Sequence, residues 1–193
     1  VTERSLLDAL DSMEAIDSQK LQRTIFQQVV QAYNLIVSGI IYDVTNTYLY
    51  GRRCPLAHEG HDKDGVKGRP LVQIGLAVTK NHGIPICHKV LDGNIHDAKM
   101  FADFVTELRQ YRISKGMVVY DRGISSGVNI ADVHQLGWDV LCGLPIKGKL
   151  QEHVRSLIAC NQFVDIENRV RLRKTIFYVD ARPYSIEGIQ GTM

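Results

Sequence analysis

The sequence has little that would place it in a membrane, a secreted scaffold or a small zinc domain. No apolar run approaches the roughly 18 residues that a membrane-spanning helix needs. The first residues carry Glu3 and Asp8 where a signal peptide would have a long apolar stretch. The four cysteines show no CxxC spacing, which excludes a disulfide framework and indicates reduced thiols in a cytosolic protein. A chain of 193 residues that begins with Val fits one domain plus an appendage, or a piece of something larger.

A strong overall charge is also absent, since the formal net charge is only +2. The basic residues are nevertheless clustered. Residues 51–70 and 145–174 each contain more lysines and arginines than acids. Both stretches are compatible with a phosphate backbone as partner, although a solvated charged surface is the better interpretation from charge alone.

Two short segments repeat one pattern: a β-branched pair, then Tyr, then Asp. They are Ile40-Ile41-Tyr42-Asp43 and Val118-Val119-Tyr120-Asp121. Asp is depleted in strands, and its charge is costly to bury unless a partner or a metal compensates. Two strands that each end in a carboxylate indicate carboxylates converging on a cation, as in metal-dependent phosphoryl transfer. For either Asp alone, a strand-end residue bonded to a loop amide is the competing interpretation.

Hydrophobic periodicity predicts a helical start followed by a β-rich core. Residues 3–17 and a second run closed by Ser38-Gly39 predict two helices, for which packing is a better role than DNA binding or dimerisation. Asn81-His82-Gly83 predicts the turn of a β-hairpin. The predicted order is β-β-β-α-β-α-β, with strands at 40–50, 71–80, 84–92, 116–121 and from Trp138, and helices at 97–112 and 127–136. A right-handed crossover would set the strand before Asp121 parallel to its neighbour.

The helix at 97–112 has Asp97 or His96 as its predicted N-cap, with Asp97 preferred. The last part of the chain is less regular. It predicts a helix near 149–160 and strands around 162–167, 169–174 and 175–180. The ending IEGIQGTM completes no predicted element.

This order, with one Asp on the first strand and one after the fourth, resembles a ribonuclease H-like fold. The segments that carry a closer resemblance are YDVTNTYLYG, GHDKDGVKGRPLVQIGLAV, GIPICHKVLDGNIHDAKMF and VVYDRGISS. Together they resemble insertion-sequence DDE transposases of the insertion-sequence-4 type. The resemblance implies an α/β fold with a mixed sheet flanked by helices. It divides the chain into an N-terminal helical segment (1–39), a catalytic core (40–147) and the start of an inserted or following segment (148–193).

The resemblance also implies roles for residues. Asp43 and Asp121 would be the first two acids of the triad and would bind two divalent cations, Mg²⁺ or Mn²⁺. The third acid, a Glu in a Y-x2-R-x3-E pattern, has no match here and is expected beyond Met193; Glu152 is a weak substitute. The expected DNA-contacting residues are Lys63, Lys67, Arg69 and Arg122. Arg122 would contact phosphate or hold Asp121 in place.

The expected function is metal-dependent DNA cleavage and strand transfer at transposon ends. The alternatives are a ribonuclease H-like nuclease and a catalytically inactive remnant that binds DNA or dimerises. The expected partners are transposon-end and target DNA, with a homodimer left open and no membrane. The expected location is the bacterial cytoplasm, in association with the nucleoid.

Overall fold

The fold is given by a computed structural model that describes most of the chain. The described residues are 2–51, 53–60, 65, 68–113, 115–160, 169–179, 183–186 and 189–192. None of the helices in these ranges has the length and apolar character that crossing a bilayer requires.

Two helices open the chain, as predicted. Helix α1 (Glu3–Ser12) begins after Thr2, whose side chain accepts a hydrogen bond from the amide of Ser5. Helix α2 (Ser18–Tyr33) ends at Asn34 in the left-handed conformation, short of the predicted Ser38-Gly39. The two helices differ in packing: α1 has no buried residue, whereas α2 buries Phe26 in the main core.

The centre of the molecule is one mixed sheet of six strands. The strands are β1 (Gly39–Tyr48), β2 (His58–Glu59), β3 (Pro70–Thr79), β4 (Pro85–Asp92), β5 (Met117–Tyr120) and β6 (Asp139–Cys142). Their order is β2-β3-β1-β5-β6, with β4 paired to β3 beside β2. Strands β1, β3 and β4 are antiparallel, while β5 and β6 run parallel to β1. The predicted order and the parallel crossover are therefore confirmed, with the short β2 as an addition.

The helices that follow lie where the sequence predicts them. They are α3 (Asp97–Leu108), α4 (Gly127–Gln135) and α5 (Gly148–Ala159), with short 3-10 turns at Arg109–Tyr111 and Arg122–Ile124. The preferred N-cap of α3 is wrong. Asp97 is the first helical residue, and His96 occupies the cap position without a capping side-chain hydrogen bond. The extended backbone before α3 ends at His96, which is one residue earlier than an Asp97 cap would require.

The core lies between one face of the sheet and helices α3 and α4. Alternate residues of β1, which are Ile40, Tyr42 and Val44, point into it. They meet Phe101 and Phe104 from α3. Trp138 is only 4% exposed and belongs to the same core.

The C-terminal part forms two hairpins, each a separate two-stranded sheet. Strands β7 (Arg169–Leu172) and β8 (Thr175–Tyr178) pair with each other, as do β9 (Pro183–Ile186) and β10 (Ile189–Thr192). The first hairpin was predicted, and the strand predicted at 162–167 lies outside the described residues. The second hairpin contradicts the expectation that the ending IEGIQGTM completes no element, because Ile189–Thr192 forms β10. Pro183 and Gly191 obscured it, because both residue types are rare inside strands.

Candidate active site

The two repeated Tyr-Asp segments lie on neighbouring parallel strands. Strand β1 pairs with β5 so that Tyr42 faces Tyr120, and the next residue on each strand is the aspartate. Neighbouring strands are about 4.8 Å apart, so the backbones of Asp43 and Asp121, which follow the Tyr42–Tyr120 pair, lie side by side. The structure therefore brings this predicted pair together.

The interpretation of Asp43 as a strand-end residue is wrong, whereas the strand predicted over 40–50 is confirmed. Strand β1 continues for five further residues to Tyr48, whereas Asp121 directly follows β5. The strand continues because Val44 is buried while Thr45 and Thr47 are exposed, which keeps the alternation of a half-buried strand.

The tyrosine before each aspartate faces the core. Tyr42 and Tyr120 are 3% and 4% exposed, and both rings contact the ring of Phe101, at centroid distances of 5.4 and 4.5 Å. Burial raises the pKa of the Tyr120 phenol well above its ordinary value, and the neighbouring Cys142 adds to the rise. Because successive side chains on a strand point to opposite faces, Asp43 and Asp121 lie on the other, exposed face.

Each aspartate carboxylate accepts one hydrogen bond from the amide that follows it. Oδ1 of Asp43 accepts from the amide of Val44 at 2.9 Å, and Oδ1 of Asp121 accepts from the amide of Arg122 at 2.7 Å. Among the described residues, the second oxygen of either carboxylate has no hydrogen-bond partner. Exposed carboxylate oxygens are the ligands that Mg²⁺ and Mn²⁺ prefer. The pair therefore fits a hard divalent cation.

The turn after Asp121 is fixed by a hydrogen bond within it and by two that join it to other elements. The amide of Ile124 donates to the carbonyl of Asp121 at 3.1 Å. The buried Asn129 side chain donates to the carbonyl of Ile124 at 2.8 Å, and the Ser125 hydroxyl donates to the carbonyl of Gly143 at 2.6 Å. These contacts hold the backbone that carries Asp121 against α4 and the end of β6.

The two predicted DNA-contacting residues that the structure describes, Arg69 and Arg122, lie apart. Arg122 lies next to Asp121, and its backbone amide binds that carboxylate, while its guanidinium has no hydrogen bond or ion pair within the described ranges. Arg69 lies before β3, at the far end of the sheet from Asp121. Lys63 and Lys67 lie outside the described residues.

The sheet face that carries the carboxylates is apolar and uncovered by any element in the described ranges. Ile41, Leu76, Val90 and Leu141 are 39%, 40%, 42% and 56% exposed. Strand register sets Leu76 opposite Asp43, so this apolar surface directly borders the carboxylate pair. The sequence does not reveal this exposed apolar face, because a strand that is covered on both faces would have the same apolar composition.

A third acid does not join the pair in the part of the chain that the structure describes. No group of three or more His, Cys, Asp or Glu side chains able to hold a metal is found there. Glu152 is exposed on α5 and belongs to no such group. Glu167 and Glu187 lie outside the described residues.

No curated protein sequence matches this chain. Among solved structures, a piggyBac transposase synaptic complex with hairpin DNA matches with 13% identity and a TM-score of 0.49, over 77% of this chain and 31% of that one. A Mos1 transposase paired-end complex with the left transposon end matches with 9% identity and a TM-score of 0.38, over 86% and 64%. The Mos1 catalytic domain with Raltegravir and Mn matches with 11% identity and a TM-score of 0.37, over 86% and 78%. The chain thus spans about a third of the piggyBac chain and less than two thirds of the Mos1 chain in the paired-end complex.

The family comparison covers most of the chain. The sequence model of the transposase DDE domain matches residues 37–184, from just before β1 to within β9. Both members of the carboxylate pair lie inside the matched range. The chain belongs to the transposase DDE domain family.

Proposed function

We propose that the chain is the catalytic core of a DNA transposase of the insertion-sequence-4 type, which cuts and joins DNA strands at transposon ends. The observation that carries the proposal is the in-register pair Asp43 and Asp121 on adjacent parallel strands, within a domain of the transposase DDE family. Its partners are transposon-end and target DNA, and a homodimer is part of the proposal. The protein would act in the bacterial cytoplasm, at the nucleoid.

Mg²⁺ or Mn²⁺ is the proposed cofactor. Asp43 and Asp121 would hold it through the oxygens that local amides leave free. Sites with only one or two carboxylates rely on substrate phosphates and water for the remaining ligands, so affinity without DNA should be low. When bound, divalent cations stabilise charge on the attacking and leaving oxygens of a phosphodiester. Arg122, beside Asp121, would contact the phosphate that is cut.

The third acid is proposed to lie in a segment outside the described residues. The apolar face around Ile41 and Leu76 supports this, because a packed helix would cover it and bring a side chain next to Asp43. A Y-x2-R-x3-E helix in that segment is the feature that would assign the insertion-sequence-4 type. We retain the division into residues 1–39, 40–147 and 148–193 as a proposal, with α2 docked on the core through Phe26.

The test is metal-dependent nicking of a transposon-end duplex by this chain and by a form extended along its reading frame. Asp43→Asn and Asp121→Asn should each abolish nicking while DNA binding persists. Asp139→Asn is the matched control, because Asp139 is an exposed carboxylate at the opposite end of the adjoining strand. Its activity should equal that of the unaltered protein.

Activity in the extended form alone would mark the chain as an incomplete catalytic core. Cleavage that survives either Asp43→Asn or Asp121→Asn would refute the assignment of these residues. Cleavage without any strand joining would favour the nuclease. No cleavage by either form, with DNA binding intact, would favour the inactive DNA-binding remnant.

A further inference from the structure

Arg69 is held between two tyrosine side chains at the end of the sheet away from Asp43. Its guanidinium carbon lies 5.8 Å from the ring centroid of Tyr48 and 5.7 Å from that of Tyr50. Its Nη1 also donates to the Tyr50 hydroxyl at 3.4 Å. Both distances are within the range of a cation–π contact. The two rings and the Tyr50 hydroxyl therefore restrict the positions open to the guanidinium.

No ion pair compensates the charge of Arg69 in the part of the chain that the structure describes. Within the described ranges, the ion pairs are His58 with Asp92 and Lys89 with Asp103, and neither involves Arg69. The arginine is exposed, and Tyr50 is 85% exposed. The exposed Tyr50 ring contacts the guanidinium, which is itself accessible to solvent.

We infer that Tyr48, Arg69 and Tyr50 form a phosphate-contact site for duplex DNA, separate from the carboxylate pair. That the ligand is DNA rests on the proposed function. That the site binds phosphate rests on the position of Arg69 against Tyr48 and Tyr50. Guanidinium groups bind phosphate through two parallel N–H bonds, and stacking reduces the side-chain freedom lost on binding. The site is a positioning contact, because Arg69 lies too far from Asp43 to touch the reacting phosphate.

The strand that joins the two sites sets the distance between them. Asp43 and Tyr48 are five residues apart on β1, which is about 17 Å of extended strand. Because five is an odd number of residues, the side chains of Asp43 and Tyr48 lie on opposite faces of β1. A single phosphate therefore cannot touch both sites.

The test measures DNA affinity without divalent metal, so that cleavage plays no part. The full chain is titrated onto a fluorescent 30-base-pair duplex in EDTA over a series of salt concentrations. Arg69→Gln should weaken binding about tenfold, the size of one charge-assisted phosphate contact. It should also reduce the slope of log affinity against log salt by about 0.9, the value for one phosphate.

Arg109→Gln is the matched control, because it removes the same charge from an exposed arginine at the end of α3 that contacts neither Tyr48 nor Tyr50. Its slope should not change. Tyr50→Leu should weaken binding in the unaltered protein but not in the Arg69→Gln background, because the ring acts through the arginine. Arg69→Lys should recover the salt slope but only part of the affinity, since Lys has no fork geometry. Thermal unfolding confirms that each variant is folded.

Equal losses in Arg69→Gln and Arg109→Gln would overturn the site, as would additive effects of the Tyr50 and Arg69 changes. Absence of binding by the unaltered chain, or tighter binding of an RNA duplex of the same sequence, would also overturn it. The outcome is separable from the proposed function. If DNA binding depends on Arg69 but no metal-dependent nicking occurs, the contact site is supported and the proposed function is not. If nicking occurs but binding does not depend on Arg69, the catalytic assignment is supported and the contact site is not.

Discussion

Replacing Phe101 by Leu tests whether core packing aligns the two carboxylates. The Phe101 side chain is fully buried and contacts three aromatic rings, at centroid distances of 5.4 Å to Tyr42, 5.8 Å to Phe104 and 4.5 Å to Tyr120. Two of these rings belong to the residues just before Asp43 and Asp121. Leu keeps the site apolar and removes the ring, so the tyrosines lose their shared contact.

The magnitude follows from comparison with Phe26→Leu. Phe26 is 3% exposed and contacts one ring, that of Tyr111, at 5.9 Å. An aromatic pair contributes about 0.5–1.5 kcal/mol beyond the area it buries. The volume change is the same in both variants, so the two additional pairs of Phe101 should make Phe101→Leu less stable by about 1–3 kcal/mol. A domain with about 5–15 kcal/mol of stability remains folded after this loss.

The assay joins stability to metal binding. Urea unfolding gives the free energy of unfolding of each variant, and electron paramagnetic resonance of Mn²⁺ gives its affinity. Groups that support metal ligands typically contribute about 10–100-fold to metal affinity, and we expect about tenfold weaker Mn²⁺ binding in Phe101→Leu. Phe26→Leu should bind Mn²⁺ normally. If Phe101→Leu lost stability yet bound Mn²⁺ as tightly as Phe26→Leu, core packing would not align the pair.

Two further predictions concern stability. In Gly75→Ala, the new Cβ would collide with the hydroxyl of the buried Tyr42, so the ring must move. We expect the free energy of unfolding to fall by about 1–3 kcal/mol, measured by thermal unfolding, and an unchanged melting temperature would contradict the contact. Burial raises the pKa of the Cys87 thiol from 9.0 to about 12. Between these values the unfolded chain releases a proton that the folded chain retains, so the free energy of unfolding should fall with pH, by up to about 1.4 kcal/mol per unit. Denaturant unfolding from pH 8 to 10 measures the slope, Cys87→Ala should make it shallower, and equal slopes in both proteins would refute the cause.

The sequence was sufficient for the sheet because its signals were local and repeated. The Tyr-Asp repeat, the Asn81-His82-Gly83 turn and the helical run before β5 predicted three antiparallel strands followed by a parallel crossover. Gly83 has a φ of +63°, which confirms the turn residue. Each of these signals depends on residues within a few positions of one another, and short-range patterns are read well from one sequence.

Properties that depend on distant residues were not predictable. The repeated Tyr before each Asp indicates two buried rings on neighbouring strands. The sequence pattern does not show that Phe101 contacts both of them. The stack of Arg69 between Tyr48 and Tyr50 joins residues about twenty positions apart across the β1–β3 pairing, and needs the register of those strands. The exposed face around Leu76 was hidden because composition does not tell which side of a strand is covered.

The alternation of strand side chains links the stability of the core to the geometry of the carboxylates. An unpaired carboxylate is costly to bury, and a tyrosine ring gains by burial, so a Tyr-Asp pair orients a strand unambiguously. A slip of one residue between β1 and β5 would turn one tyrosine out to solvent and one aspartate toward Phe101. The register that buries both Tyr42 and Tyr120 is therefore the register that sets Asp43 beside Asp121, and the same aromatic contacts that stabilise the fold hold the pair in alignment.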